Sequence, residues 1–169
     1  MARALSIVLG IILGMGGYAH AAVAQEPSPD LSQDRTLGIG LQAPCIFSFR
    51  YWLTEGFALE LNGFVISIGD FTSGCVASKM LARLADTGVF DFYVIFEGNL
   101  HIGEYWGEPS VGDIALKAGM ELSVLPSLAI NLEFGEAVFF GPAGVSASPA
   151  ISLGLHYYFT RAPQPKPAE

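Results

Sequence analysis

Charge is scarce in this chain. Asp, Glu, Lys and Arg make up 14% of its 169 residues, against about 25% in an ordinary globular domain. Basic charge is scarcest: eight Lys and Arg stand against sixteen Asp and Glu, for a formal net charge of −8. That balance argues against a nucleic-acid binder, which needs a basic patch to displace phosphate counterions. His and Cys never stand at a metal-ligand spacing, so no zinc site is expected. No Gly-rich phosphate loop precedes a helix, and no cofactor is implied. Beyond the N-terminus no apolar run approaches 18 residues, which leaves no candidate transmembrane helix. Yet 51% of the residues are hydrophobic. An apolar chain with no helix to bury is the question the rest of the sequence must answer.

The N-terminus accounts for a little of this hydrophobicity. Arg3 precedes LSIVLGIILGM, and GGYAHAAVAQ follows with small residues at signal-peptidase spacing. Residues 1–24 therefore read as a secretory signal peptide cleaved after Ala22-Val23-Ala24, with Ala19-His20-Ala21 as the alternative site. An uncleaved anchor is disfavoured because an apolar core of about 12 residues is short for spanning. No Cys follows the apolar run, so a lipid-anchored N-terminus is not expected. Residues 25–35, QEPSPDLSQDR, form a polar leader, and residues 160–169, TRAPQPKPAE, a Pro-rich periplasmic tail.

Between leader and tail the pattern has a period of two. In AISLGLHYYF, residues 150–159, Ile151, Leu153, Leu155, Tyr157 and Phe159 alternate with Ser152, Gly154, His156 and Tyr158. FSFRYWL, FALELNG, residues 90–102, DIALKAGMELSVL and LAINLEF alternate in the same way. VASKMLARLAD contains Lys and Ala, poor strand formers, but its spacing and neighbours favour a strand over a helix. With TLGIGLQA before Pro44, eight strands result: about 36–42, 45–53, 57–69, 75–85, 89–102, 112–124, 128–140 and 149–159. Short connections (54–56, 86–88, 126–127) alternate with longer ones (70–74, 103–111, 141–148).

One face of these strands is almost free of charge, with Glu136 the exception. The other carries Arg50, Glu60, Lys79, Arg83, Glu97, Lys117, Glu121 and Glu133, besides Asp91, His101 and His156. Three features place the apolar face outward, in lipid. Aromatics gather near both strand ends: Tyr51, Trp52, Phe57, Phe90, Phe92, Tyr157 and Phe159 at the short turns, and Phe71, Tyr105, Trp106, Phe139 and Phe140 at the longer loops. Turns are short on one side and longer on the other. The polar face mixes both signs with small residues, and an eight-stranded barrel is just wide enough for side chains, with glycines such as Gly103, Gly119, Gly135 and Gly154 making room for paired charges. The expected fold is all-β: an eight-stranded antiparallel up-and-down transmembrane β-barrel over residues 36–159, closed by strand 8 on strand 1.

A signal peptide, eight alternating strands and a last strand ending GLHYYF resemble small outer-membrane β-barrel proteins of Gram-negative bacteria, the eight-stranded class typified by the transmembrane domain of outer membrane protein A. The resemblance implies an outer-membrane location. It also implies that Leu155, Tyr157 and Phe159 form the C-terminal signal read by the barrel-assembly machinery. The chain departs from the class in having ten residues after Phe159, too few for a peptidoglycan-binding domain, so that activity is not carried over.

The eight interior charges can either line a pore or plug the lumen as a paired network; buried charges are tolerated only when paired, which favours the plug. Cys45 and Cys75 fall at the tops of strands 2 and 4. Alternate strands lie about 10 Å apart, beyond disulfide reach unless the loop residues lean together, so a bridge and two free thiols both stay open. No catalytic residues are assigned. The His-x-Ser pair of lipid A deacylases is missing at His156, and Ser152 lies about 13 Å along the strand from it, too far to be its nucleophile. The expected role is a non-enzymatic, monomeric barrel that supports the envelope or presents its loops to a partner. The alternatives are a small channel and a soluble periplasmic calycin-like barrel whose apolar face lines a ligand cavity.

Overall fold

The computed structural model describes residues 35–69, 71–105, 108–109 and 112–160. The proposed signal peptide, nearly all of the leader and nearly all of the tail lie outside these residues. Eight long strands follow in order: β1 Arg35–Ala43, β2 Phe47–Thr54, β3 Phe57–Ile68, β4 Phe71–Asp86, β5 Phe90–Tyr105, β6 Gly112–Leu125, β7 Leu128–Gly141 and β8 Gly144–Thr160. Each pairs antiparallel with the next, and β1 pairs with β8, so the sheet closes into a ring. The ambiguous VASKMLARLAD stretch lies in β4. The barrel begins at Arg35, which belongs to β1 rather than to the polar leader.

The ladders fix the stagger of the barrel. Starting at Gly38 and moving across directly opposed residues leads through Arg50, Glu60, Lys79, Glu97, Ala115 and Ala137 to Ser148 on β8. Gly38 is itself paired with Tyr158, ten residues further along β8. A shear of that size on eight strands tilts them by about 40°. Each residue then advances about 2.5 Å along the barrel axis. The four register shifts, at Arg35/Leu37, Trp52/Thr54, Arg83/Ala85 and Ser123/Leu125, all lie at the end that holds the chain termini and short turns.

Two of the longer connections expected from the sequence are strand. β4 starts at Phe71 and pairs from Ile68↔Phe71 onward, and β8 starts at Gly144 and pairs from Gly141↔Gly144. Residues 72–74 and 146–148 escaped the alternation test because both faces there carry small or polar side chains, and residues 144–149 are exposed on both faces; the ladder alone makes them strand. Between β5 and β6, Glu108–Pro109 pair back on Glu104 and Tyr105. Three hairpins therefore rise beyond the barrel body at the end opposite the termini.

The barrel is inside-out. Ile151, 70% exposed, points outward beside Ser152, 2% exposed, which points in. Leu153, Leu155, Tyr157 and Phe159 are likewise exposed, and His156 and Tyr158 fully buried. The same division holds on every strand: Phe49, Leu61, Met80, Phe96, Leu116 and Leu132 are outward and exposed. This overturns the calycin-like alternative, which needs the apolar face to line a cavity. Glu136, the one charge on the apolar face, is outward and exposed.

Candidate functional site

The lumen has layers. Near the termini Trp52, Ala58, Leu81, Tyr93, Ile95, Ala129 and Tyr158 form an apolar cluster. At the opposite end Cys45, Cys75 and Ala77 pack with Phe64. The charged layer lies between these clusters.

That layer is built by register. Arg50, Glu60, Lys79 and Glu97 sit directly opposite one another on β2, β3, β4 and β5, so charges of alternating sign meet as cross-strand neighbours. Arg50 Nε donates to Glu60 Oε2 at 2.5 Å, and its Nη1 donates to Glu121 Oε2 at 2.5 Å and to the Tyr158 hydroxyl at 3.0 Å. Lys79 Nζ donates to both oxygens of Glu133, at 3.0 and 2.8 Å, and lies 3.3 Å from Glu60 and 3.7 Å from Glu97. Lys117 donates to Glu97 and, at 2.9 Å, to Ser152. Arg35 donates to Glu121 at 3.2 Å and to the carbonyls of Pro126 and Leu125. Four cations and four carboxylates thus form one continuous, charge-balanced chain from the lower rim to the upper lumen. Gln42, Asn62 and Asn131 donate to its carboxylates, and every member is buried.

Seven of the eight expected interior charges are in this chain. Arg83 is not: it lies at the lower rim, 3.2 Å from Asp86 and 3.5 Å from Asp91, with its guanidinium 4.2 Å over the Trp52 ring. Trp52 is therefore a lumen residue rather than part of an outer aromatic belt. Phe139 also departs from the expected belt and stacks on His101 at 6.5 Å. Phe140 is outward and exposed. Trp106 and the side chains of Phe71 and Tyr105 lie outside the described residues.

Of the four glycines expected to make room for paired charges, Gly119 makes room for a ring and Gly154 for the Asn131 amide, while Gly103 and Gly135 lie against backbone. A Cβ at Gly119 would sit 2.1 Å from the Tyr93 ring, and one at Gly38 would sit 2.7 Å from Tyr158. Arg35, Gln42, Asn131 and Tyr158 were not singled out from the sequence. Parity on β1, β7 and β8 could have found Gln42, Asn131 and Tyr158; Arg35 shares the parity of the outward Ile39 and Leu41 and turns inward only through the register shift at Arg35/Leu37.

Cys45 and Cys75 are joined by a disulfide, with Cα atoms 5.6 Å apart. Cys45 belongs to the connection 44–46, not to β2, so the connection leans across the mouth and brings the thiols within reach. Without reductant, the denatured protein is expected to take up no maleimide, and after reduction two; uptake of two before reduction would show the bridge does not form. His101 sits opposite Cys75 in the ladder and is 2.7 Å from Asp113 Oδ2, whose other oxygen accepts from Asn99 at 2.8 Å.

Folding also unites Ser48 Oγ with His156 Nε2 at 2.8 Å, a pair the sequence reading did not form. Its geometry is not that of a catalytic pair. A base is oriented through its other nitrogen, and His156 Nδ1 has no partner while Glu60 lies 3.7 Å from Nε2. Both side chains are sealed in the lumen. No cluster of three or more His, Cys, Asp or Glu that could hold a metal occurs among the described residues.

No protein-family model matches this chain, and no curated protein does. Among solved structures, the crystal structure of Ail, the attachment invasion locus protein of Yersinia pestis, aligns over 73% of this chain and 92% of its own, at 12% identity and a TM-score of 0.39.

Proposed function

We propose that this chain is an integral outer-membrane β-barrel, monomeric and non-enzymatic, with a lumen closed by ion pairs and a structural or surface-interaction role. The observation that carries the reading is the inverted polarity of a closed ring: large apolar side chains cover the outside while the charges lie within. Closure leaves no edge from the terminal rim up to Ala43↔Leu153, as strands crossing lipid require, and strand ends with short turns gather at the terminal side, as in outer-membrane barrels. The unbroken ion-pair chain with its buried side chains supports a plug over a pore. The three raised hairpins are the surface offered to a partner, and Leu155, Tyr157 and Phe159 stand outward on β8 where the assembly machinery can read them.

Fractionation and gel mobility test this. The protein is expected in the detergent-extracted outer membrane and to migrate faster unboiled than boiled. Release with soluble periplasm and no mobility shift would overturn the membrane reading. Steady conductance after reconstitution into a planar bilayer would overturn the plug alone.

A further inference from the structure

The barrel wall is not of one height. The β1–β8 ladder stops at Ala43↔Leu153 and the β2–β3 ladder at Phe47↔Gly63. Among the described residues, β8 continues above these levels through 144–152 bonded to β7 alone, and β3 through 64–68 bonded to β4 alone. The gap between them is three strand spacings wide, about 14 Å.

The direction of each backbone group follows from the alternation of an antiparallel ladder. Tyr158 N donates to Ser127 O at 2.7 Å, so even-numbered residues of β8 bond to β7 and odd-numbered ones face β1. The Leu155 carbonyl, packed against Gly40 of β1, agrees. Ile151, Pro149, Ala147 and Val145 therefore turn their backbone groups into the gap. On β3 the Phe64 carbonyl packs against Gly74 of β4, which leaves Val65 and Ser67 facing the gap from the other side.

These free edges begin inside the apolar belt. Ile151 lies eight residues above Phe159 on β8, about 20 Å along the axis, within a belt about 25 Å tall. Unpaired backbone does not persist in hydrocarbon. A partner strand is a poor occupant, since Pro149 offers no N–H at the point where a strand would pair with β8. Glu136, outward and exposed, lies directly opposite Pro149, so this side of the barrel also carries a carboxylate where the far wall carries aliphatic groups. Pro44, Ile46 and Phe47 form an exposed apolar lip at the floor of the gap.

We infer that the outer lipid leaflet dips at this gap, so that headgroups and their water fill the space above β1 and β2 and hydrogen-bond the free edges of β8 and β3. The inference rests on the outer-membrane reading, and its test separates the two. Ile151 and Gly98 come out at the same axial height, within about 1 Å. Gly98 points outward on β5, away from the gap, with nothing within 4 Å of a Cβ.

Ile151→Trp and Gly98→Trp would each be made in a Trp106→Phe background, where the remaining Trp52 is sealed in the lumen, and reconstituted in phospholipid vesicles. The Gly98→Trp protein is expected to lose emission to phospholipids brominated at mid-chain and to be insensitive to aqueous acrylamide. The Ile151→Trp protein is expected to show the reverse, as is Val65→Trp on the opposite edge, which serves if the first variant fails to fold. Loss to brominated chains at both 98 and 151 would overturn the inference by showing that hydrocarbon reaches the edge. Insensitivity of Ile151→Trp to both quenchers would overturn it by showing that protein covers the edge. No loss to brominated chains at 98 would overturn the membrane reading itself.

Discussion

Replacing Arg50 by Leu is expected to remove about 3–5 kcal/mol of barrel stability, measured by urea unfolding of the reconstituted protein. Arg50 is fully buried and joins Glu60, Glu121 and Tyr158. Without it, Glu121 keeps only Arg35 at 3.2 Å and Glu60 only Lys79 at 3.3 Å, besides the Asn62 and Tyr158 hydrogen bonds. The loss comes mainly from a buried layer left with four carboxylates on three cations, not from the Arg50 contacts themselves. A second change, Glu121→Leu in the same chain, should accordingly recover part of it. Arg83→Leu is the comparison: its partly exposed side chain faces the partly exposed Asp86 at 3.2 Å and the buried Asp91 at 3.5 Å, longer contacts than the ion pairs of Arg50, so a smaller loss is expected. Equal losses from Arg50→Leu and Arg83→Leu would mean that the central chain does not hold the barrel together.

Leu132→Lys should cost about 2–4 kcal/mol in a bilayer, and Leu53→Lys about 0–1 kcal/mol. Both side chains are outward and exposed. Leu132 stands opposite Met120 and Leu153, at about half the height of the belt, whereas Leu53 is beside the 55–56 turn. If lipid surrounds the barrel, a charge at mid-belt must be desolvated and one at the rim can reach headgroups. If water surrounded it, neither substitution would be costly and both would raise solubility. The depth dependence is therefore the decisive quantity, and a neutral Leu132→Lys would show that the outer face does not meet acyl chains.

Much of the fold was legible because a strand half-buried on one face writes itself as alternation. Residues 90–102 and 150–159 show this most clearly, and parity correctly put Glu97, Lys117, Glu133 and His156 on one face. Legibility failed where neither face carries a large apolar run. Residues 72–74 and 146–148 are small or polar on both faces, so only pairing with β3 and β7 identifies them as strand. Parity also cannot assign depth: it grouped Arg83 with Lys79, although the tilt leaves Arg83 at the rim beside Trp52. The reach between Cys45 and Cys75 depends on a connection leaning across the mouth, which strand spacing does not reveal.

What the sequence determined by itself is the set of strands, their two faces and the inventory of charges on one of them, because period-two patterning and residue type are local properties. Which cation meets which carboxylate and how high each part of the wall stands were decided only by the tertiary structure. Those depend on the stagger with which β8 closes on β1. That stagger is a property of the whole ring, carried by no single strand.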